Sequence, residues 1–265
     1  MFYFFEEMKI CSIKIHGLIK FRQLVHGVSP RLVTINEGKE VDLDMSPISD
    51  MWHCEKNWKK FVRSLYSSPV TLEEEPYFLK QVHGNKVYSV EEIDERGSLE
   101  GDAIVSNMPY KPIGVFTADC LPIIMYDFRL NAVGVIHAGR KGTSLCVLKK
   151  TLAKMTSEYG SDPKDIAVGF GPGVGGCCYE VGVECMEPFS SIFSDVGQVA
   201  FFKDDGKVML NLKKANRLQA LEAKILDENI FDCGFCTVCE YRRFFSYRRN
   251  RDTGRMMTLA MILPE

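Results

Sequence analysis

Three side chains with metal-binding chemistry stand at the ends of apolar runs in the sequence. His83 closes "YFLKQVHG", Cys120 falls in "IGVFTADCLP", and His137 lies in "VGVIHAG". Each run is typical of a buried β-strand followed by a glycine or proline turn, and rigid strand ends commonly present functional side chains. The three residues are 37 and then 17 positions apart, so the prediction rests on their shared placement and not on a short motif.

Two imidazoles and one thiolate form a ligand set that suits zinc, and three protein ligands leave a fourth position for water or substrate. The ion carries two positive charges and the Cys120 thiolate one negative charge. Such a positive centre could bind an anion or lower the pKa of a water to about 7. Two alternatives stay open. Each residue alone is more typical of a structural side chain, and Cys120 with His83 or His137 as base would also make a metal-free cysteine hydrolase.

The segment after His137, "AGRKGTS", has the composition of an anion site. Arg140 and Lys141 lie between two glycines, just before a helix predicted over residues 144–159. Two cations beside a helix start favour phosphate, although solvated loop cations fit the segment equally well. Asp119, in the second of the three apolar runs, is a candidate to orient a metal-bound histidine or to carry a proton.

The remaining cysteines are harder to interpret. Cys233, Cys236 and Cys239 have CxxCxxC spacing, which is typical of an iron–sulfur or zinc knuckle. No second CxxC pair completes a four-ligand site, so an independent cluster is not expected. A zinc-binding interaction module built on these three residues is kept as a non-enzymatic alternative. The adjacent Cys177 and Cys178 could line a pocket after a glycine-rich loop, although a tight turn in the core is the plainer interpretation.

Periodicity predicts an α/β (α+β) fold, with residues 1–265 forming a single domain of mixed β-sheets flanked by helices. The N-terminal segment is expected to be the first strand of the domain and not a secretion signal, because it has no cationic start. The predicted strands are "SIKIHG", "FRQLVHG", "YFLKQV", "KVYSV", "DAIVS", "IGVFTA", "PIIMYD", "NAVGVIH", "IAVGF" and "VMLNL", with a last strand near the C-terminus and further helices around Trp58 and over residues 213–228.

Composition excludes several classes of protein. The 33 basic and 35 acidic residues nearly balance, so no basic face for nucleic acid is expected. No apolar run is long enough to cross a bilayer. Ten cysteines in a chain of 265 residues without a secretion signal indicate reduced thiols or metal ligands more than disulfides. We therefore expect a soluble, cytoplasmic protein that is a monomer or a small homo-oligomer and has no membrane or nucleic-acid partner.

In their order, several motifs of the sequence resemble the landmarks of the laccase-domain proteins. That family was formerly described as multicopper polyphenol oxidases and is now regarded as purine nucleoside phosphorylases. The resemblance covers residues 81–262, and the ordered set is far more specific than any single motif. The motifs are "QVHG", "GDAIVSN", "TADCLPI", "IHAGRKGT", "GFGPGVGGCCYEVG", "CTVCEYRRFFSYRR" and "TGR".

The resemblance implies a zinc site formed by His83, Cys120 and His137. Family members usually carry "HAGW" where this chain has Arg140, so an aromatic side chain that could stack or pack is replaced by a cation. "HGVSPR" echoes an N-terminal "HGFSTR"-like element, which makes Arg31 a candidate phosphate ligand.

A further phosphate candidate is Arg248, in the arginine-rich and aromatic-rich "YRRFFSYRRNRDTGR". This segment could embrace an anionic or aromatic ligand, or it could be a solvated hairpin.

The resemblance implies phosphorolysis of adenosine, inosine, guanosine and methylthioadenosine to a base and ribose 1-phosphate, and deamination of adenosine. The expected cofactor is zinc, with copper as the possibility that the older family description carries. Purine nucleosides and inorganic phosphate are the expected partners. A copper-dependent polyphenol oxidase is the weaker alternative, since a laccase-type copper set needs more imidazoles than the five histidines here supply.

Overall fold

A six-stranded sheet forms the centre of the computed structural model, which describes residues 8–35, 38–47, 51–66 and 75–264. The outermost pair at each edge is parallel, and the three inner pairs are antiparallel. The four inner strands are buried throughout, as their continuous apolar runs predict. In spatial order, and numbered along the chain, the strands are β13 (Ile230–Asp232), β9 (Ile166–Phe170), β7 (Leu121–Asp127), β8 (Ala132–Ala138), β5 (Ala103–Ser106) and β4 (Val87–Ser89).

Each face of the central sheet is covered by a different layer. Along β7, Ile123 and Met125 face one hydrophobic cluster, and Ile124 and Tyr126 face another, because successive side chains of a strand point to opposite faces. The first cluster lies under helices α3 (Val147–Tyr159) and α5 (Leu212–Glu222). The second lies under an antiparallel sheet of β1 (Leu24–Val28), β14 (Met256–Ile262) and β6 (Ile113–Thr117).

Smaller elements complete the fold. Among them, the first helix packs its Trp58 and Phe61 on Phe116 and Leu259 of the three-stranded sheet. The smaller elements are α1 (Met51–Leu65), the hairpin of β2 (Leu32–Thr34) and β3 (Glu40–Asp42), the short helices α2 (Arg140–Ser144) and α4 (Glu187–Ser190), and a sheet of β10 (Glu180–Gly182), β12 (Lys207–Leu210) and β11 (Ala200–Phe202). None of the helices within the described ranges is long and apolar enough to span a membrane.

The predicted mixed-sheet α/β architecture is confirmed, and one correction concerns segments predicted as strands. "YFLKQV" forms only isolated bridges, at Tyr77 and Lys80, so His83 follows an irregular extended segment. "SIKIHG" likewise makes a single bridge at Ile13 before a short 3-10 helix. The strand predicted at the N-terminus begins on residues 1–7, which lie outside the described residues.

A second correction concerns the helices. The helix predicted over residues 144–159 is preceded by α2 and separated from it by Cys146, which has a left-handed backbone with φ 56°. The helix predicted over residues 213–228 ends at Glu222. Both differences lie at element ends, where local sequence is the weakest guide.

Candidate metal centre

Antiparallel pairing gathers three polar side chains at one edge of the central sheet. β8 runs antiparallel to both of its neighbours, so its carboxyl end lies beside the amino ends of β7 and β5. His137 is the second-last residue of β8, Cys120 directly precedes β7, and Asp102 directly precedes β5. The strand order therefore places Cys120, His137 and Asp102 side by side.

His83 reaches the same edge from a loop that a buried carboxylate holds in place. Asp102 is fully buried and accepts backbone N–H bonds from His83 at 2.9 Å and from Gly84 at 2.6 Å. Its Oδ1 also lies 2.7 Å from Nδ1 of His137. One carboxylate thus fixes the backbone of one histidine and the ring of the other, which is the arrangement that directs the second ring nitrogen of a metal-binding histidine toward the ion.

The three predicted ligands converge on one point. Ligand atoms of His83, Cys120 and His137 all lie within 4.8 Å of one another, and the two imidazole rings meet edge to face with centroids 4.7 Å apart. His137 is buried, Cys120 is half-buried and His83 is exposed, so the site opens to solvent on the His83 side. A ligand can approach the centre from that direction.

Gly139 is the residue that lets the three donors meet. A Cβ at this position would lie 2.9 Å from the Cys120 sulfur and 3.0 Å from the His83 ring. A larger residue would therefore push the donors apart. This close approach, and not a special backbone angle, accounts for the glycine that follows the strand.

The Cys120 thiol and the His137 imidazole shift each other's pKa toward the charged form. Burial would raise the pKa of Cys120, but the charge of His137 and hydrogen bonds from both histidines lower it to about 6. Burial would likewise lower the pKa of His137, but the Cys120 thiolate and Asp102 raise it to about 9. Both shifts favour a thiolate beside a protonated ring, and a bound cation would replace that proton.

Two residues at the site have a left-handed backbone conformation, which residues other than glycine rarely adopt. These are His83, with φ 58°, and Asp119, with φ 93°. Such conformations cost energy and persist only where surrounding contacts fix them. At His83 the carboxylate of Asp102 provides that fixation through the two N–H bonds given above.

Asp119 has other partners than the prediction gave it. Its Oδ1 accepts the Thr237 hydroxyl at 2.6 Å, and its Oδ2 accepts the backbone N–H of Arg248 at 2.6 Å. The structure therefore assigns the orienting contact on His137 to Asp102 and not to Asp119. Asp119 instead ties the turn that carries Cys120 to the loop between β13 and β14, residues 233–255, which we call the C-terminal loop. The role of Asp119 as a proton carrier stays a prediction.

Two of the four predicted phosphate residues lie near the centre. The Arg248 guanidinium packs over the Tyr179 ring, 5.2 Å from its centroid. Burial and then the charge of Cys120 raise the pKa of the Tyr179 hydroxyl, while Arg140 and Arg248 oppose that rise. Arg140 directly follows Gly139, where a Cβ would lie against Cys120 and His83. The backbone N–H of Arg248 bonds Asp119, the residue before Cys120.

The other two phosphate candidates are placed less favourably. Arg31 donates to both carboxylate oxygens of Asp42, at 2.9 and 3.3 Å, and to the Tyr241 carbonyl at 3.1 Å. Its guanidinium is therefore already committed to an ion pair. Lys141 is exposed on α2. The role of both residues in phosphate binding stays a prediction.

A neighbouring helix holds the turn that carries Arg140. Thr143 is buried in α2, where its hydroxyl accepts from the Asn216 amide at 3.0 Å and its carbonyl accepts from Gln219 at 2.9 Å. Both amides belong to α5. These bonds fix the short helix directly after the strand that carries His137, so the position of Arg140 is built into the fold.

Sequence reasoning missed Asp102 and Tyr179. Asp102 stands in "GDAIVSN", immediately before a buried strand. A carboxylate directly before such a strand is the one sequence signal that could have identified it. Its meaning depends on which strand pairs with β5, which a single sequence does not give. Tyr179 follows the adjacent cysteines and carried no motif of its own.

Comparison with known proteins places the chain in a family. The family model described as "Multi-copper polyphenol oxidoreductase laccase" matches residues 26–263. A protein named purine nucleoside phosphorylase from Clostridium acetobutylicum is 37% identical, over 69% of this chain and 75% of that protein. Another of that name from Haemophilus influenzae is 32% identical, over 77% of this chain and 81% of that protein.

Solved structures agree with the sequence relatives. YlmD from Geobacillus stearothermophilus superposes with a TM-score of 0.81 at 27% identity, covering 92% of this chain and 93% of that one. The extent of this match shows that the two proteins share one fold. The chain is therefore a member of the multi-copper polyphenol oxidoreductase laccase family, related to enzymes named purine nucleoside phosphorylases.

Proposed function

We propose that the protein is a zinc-dependent purine nucleoside phosphorylase that acts on adenosine, inosine, guanosine and methylthioadenosine and also deaminates adenosine. The observation that carries the proposal is the convergence of His83, Cys120 and His137 within 4.8 Å. The names of the relatives supply the substrate class. The free thiols of the described cysteines fit the cytoplasmic setting expected from the sequence, and the proposed state is a monomer or a small homo-oligomer.

The residues present fit a zinc ion. The donor set is two nitrogens and one sulfur, Gly139 leaves the donors room to meet, and Asp102 occupies the outward nitrogen of His137. Bound zinc would supply a positive centre that attracts phosphate and, for deamination, acidifies a water. Copper fits less well, because His26 has its ring nitrogen bonded to the Ile15 N–H instead of lying at this centre.

Phosphorolysis requires that a phosphate oxygen be held in line with the bond between the anomeric carbon and the purine nitrogen. A phosphate oxygen forms a bond to the anomeric carbon as the bond from that carbon to the purine nitrogen breaks. The electron pair leaves with the base, which takes up a proton, and ribose 1-phosphate remains. Arg140 and Arg248 supply positive charge beside the centre, which orients the phosphate and offsets its charge in the transition state.

Nearby residues have roles that follow from their contacts. The Tyr179 ring, which packs against Arg248, offers an aromatic surface beside a phosphate candidate, and a purine has a matching aromatic face. Asp119 is the candidate proton carrier, since it is a buried carboxylate next to Cys120 in the chain.

The substitution Cys120→Ala tests the proposal. We expect this variant to lose its zinc and its phosphate-dependent activity together, because the sulfur is both the charged ligand and the partner of His137. Elemental analysis and a product assay on the same sample provide the two readouts. Full activity in a variant that has lost the sulfur would rule out the assignment.

A second candidate function is favoured by one observation. Cys120, His137 and Asp102 are arranged as a nucleophile, a base and an orienting acid, with the thiol pKa lowered to about 6. This is the metal-free cysteine hydrolase. Against it, the second imidazole, of His83, has no function in such a triad. Fully active protein that contains no metal would favour this hydrolase over the zinc enzyme.

A further inference from the structure

Four cysteines from two distant segments meet beside the C-terminal loop. Cys177 and Cys178 lie in the glycine-rich loop after β9, and Cys236 and Cys239 form a CxxC turn after β13. All four sulfur atoms lie within 4.8 Å of one another. The expectation that no further donors complete the CxxC pair is thus corrected, and we propose that these four thiolates bind a single structural zinc ion.

The spacing of the sulfurs is that of a tetrahedral ligand set. A zinc–sulfur distance of about 2.3 Å places the sulfurs of a tetrahedron about 3.8 Å apart. The Cys177 and Cys239 sulfurs are 3.8 Å apart, and those of Cys178 and Cys239 are 3.5 Å apart. These gaps are far too wide for a disulfide, whose sulfurs are about 2.05 Å apart. Binding an ion therefore requires little movement of the sulfurs.

One backbone group is already aimed at one of the four sulfurs. The Cys236 sulfur accepts the N–H of Gly175 at 3.2 Å, across the two segments. Such a donor suits a thiolate, which only accepts hydrogen bonds, and bonds of this kind orient and stabilise the thiolate ligands of metal sites.

The glycine-rich loop is shaped around the sulfurs. A Cβ at Gly175 would lie 3.0 Å from the Cys177 sulfur and 3.4 Å from that of Cys236. The loop backbone therefore approaches the cluster as closely as a glycine allows. Cys233, the first residue of the CxxCxxC pattern, does not join this group and packs instead against the apolar cluster between the two large sheets.

The chemistry of the donors favours zinc, and a single iron ion is the competing metal for four tetrahedral sulfurs. Four sulfurs around one point exclude calcium and magnesium, which prefer oxygen ligands. A multi-iron cluster would hold its cysteines further apart, because several irons and sulfides lie between them. Four protein ligands leave no open position, so this ion would be structural and not catalytic. The inference does not depend on the proposed enzymatic function.

The site would fasten the loop that supports the catalytic turn. Thr237, between two of the ligands, donates its N–H to the Gly173 carbonyl at 3.1 Å and its hydroxyl to Asp119 at 2.6 Å. Asp119 in turn precedes Cys120. A zinc ion joining the two segments would therefore stabilise the turn that carries a ligand of the first centre.

The zinc content of the purified full-length protein tests the inference, with sample preparation under reducing, anaerobic conditions. We expect two zinc ions per chain in the wild type. Cys236→Ser and, separately, Cys239→Ser should each lose one of them and lower the thermal midpoint. The matched control Cys233→Ser should keep both ions. Cys239→His should retain the second ion, because Cys3His is an established zinc ligand set.

X-ray absorption on the zinc of Cys120→Ala, which keeps only the second ion, should show four sulfur neighbours at about 2.3 Å. This measurement does not use the serine variants, so it tests the inference even if one of them fails to fold. Three results would overturn the inference: unchanged zinc content in both serine variants, iron in place of the second zinc, or a wild-type mass lower by two hydrogens that reveals a disulfide. None of these readouts is enzymatic activity, so the failure of this site and of the proposed reaction are distinguishable.

Discussion

Asp102 governs both histidines of the metal centre, through the backbone of His83 and the ring of His137. Asp102→Asn removes the charge that pairs with the His137 ring while keeping the size of the side chain. We expect zinc affinity to fall about 10- to 100-fold, the usual cost of losing the partner of a metal-bound histidine. A zinc titration against a competing chelator measures this change.

The matched control for Asp102→Asn is Asp127→Asn. Asp127 is equally buried and caps the turn at the far end of β7, where it accepts the N–H groups of Arg129 and Leu130. This variant should lose stability and keep its zinc affinity. Equal zinc affinity in Asp102→Asn and the wild type would contradict the role given to Asp102.

Arg140 is the residue on which phosphate binding is expected to depend most. Removing one charged hydrogen-bond donor costs about 1.5–3 kcal/mol, so Arg140→Ala should raise the KM for phosphate roughly tenfold or more. Lys150→Ala removes an exposed cation of α3 and serves as the control. Steady-state rates at varied phosphate give both values. An unchanged KM in Arg140→Ala would show that this arginine does not bind phosphate.

The candidate metal ligands could be proposed from single residues, but the carboxylate that supports them could not. His83, Cys120 and His137 were identifiable because their side chains suit a metal and interrupt apolar runs. Asp102 gave a weaker signal, because an acidic residue before a strand is common. Its importance arises from pairing between strands that are distant in sequence.

At the scale of elements, the common strand-end hypothesis was correct for only one ligand. His137 lies at the end of β8, whereas Cys120 lies in the turn between β6 and β7, which belong to different sheets. His83 follows a segment without regular pairing. The convergence depends on the antiparallel order β7-β8-β5, and periodicity predicts strands without predicting their neighbours.

β1 carries a buried histidine that makes stability depend on pH. His26 is 2% exposed, and its ring accepts the Ile15 N–H at 3.1 Å. Burial, and then the charge of Lys14, lower its pKa from 6.5 to about 4. Between these pH values the unfolded chain therefore binds a proton at residue 26 more readily than the folded chain does. The contribution of His26 to stability is complete above about pH 6.5 and is lost as the pH falls to about 4.

The expected size of this effect is about 3 kcal/mol of unfolding free energy, since one pKa unit corresponds to about 1.4 kcal/mol. His26→Gln keeps an acceptor for the Ile15 N–H but does not titrate. Urea unfolding at pH 7 and pH 4.5 should show a smaller loss of stability in this variant than in the wild type. Parallel losses in the two proteins would rule out His26 as the source.

At the scale of the whole molecule, three layers of elements bring distant segments to one edge of the central sheet. Residues 83, 102, 120 and 137 come from the middle of the chain, and the loop that holds Asp119 comes from its C-terminal part. The family resemblance implied that His83, Cys120 and His137 form one site, but it did not predict the contribution of Asp102 or of the C-terminal loop. The meeting of Cys177 and Cys178 with Cys236 could not be predicted, because no pattern in the sequence relates the two loops.

The central claim is that this assembly cleaves purine nucleosides with phosphate. The most direct measurement is mass spectrometry of the products formed from adenosine, with and without phosphate, by zinc-loaded wild type and by Cys120→Ala. We expect adenine and ribose 1-phosphate only when phosphate and Cys120 are both present, with inosine as the mark of deamination. Adenosine left intact by the zinc-loaded wild type, or free ribose formed equally without phosphate, would contradict it.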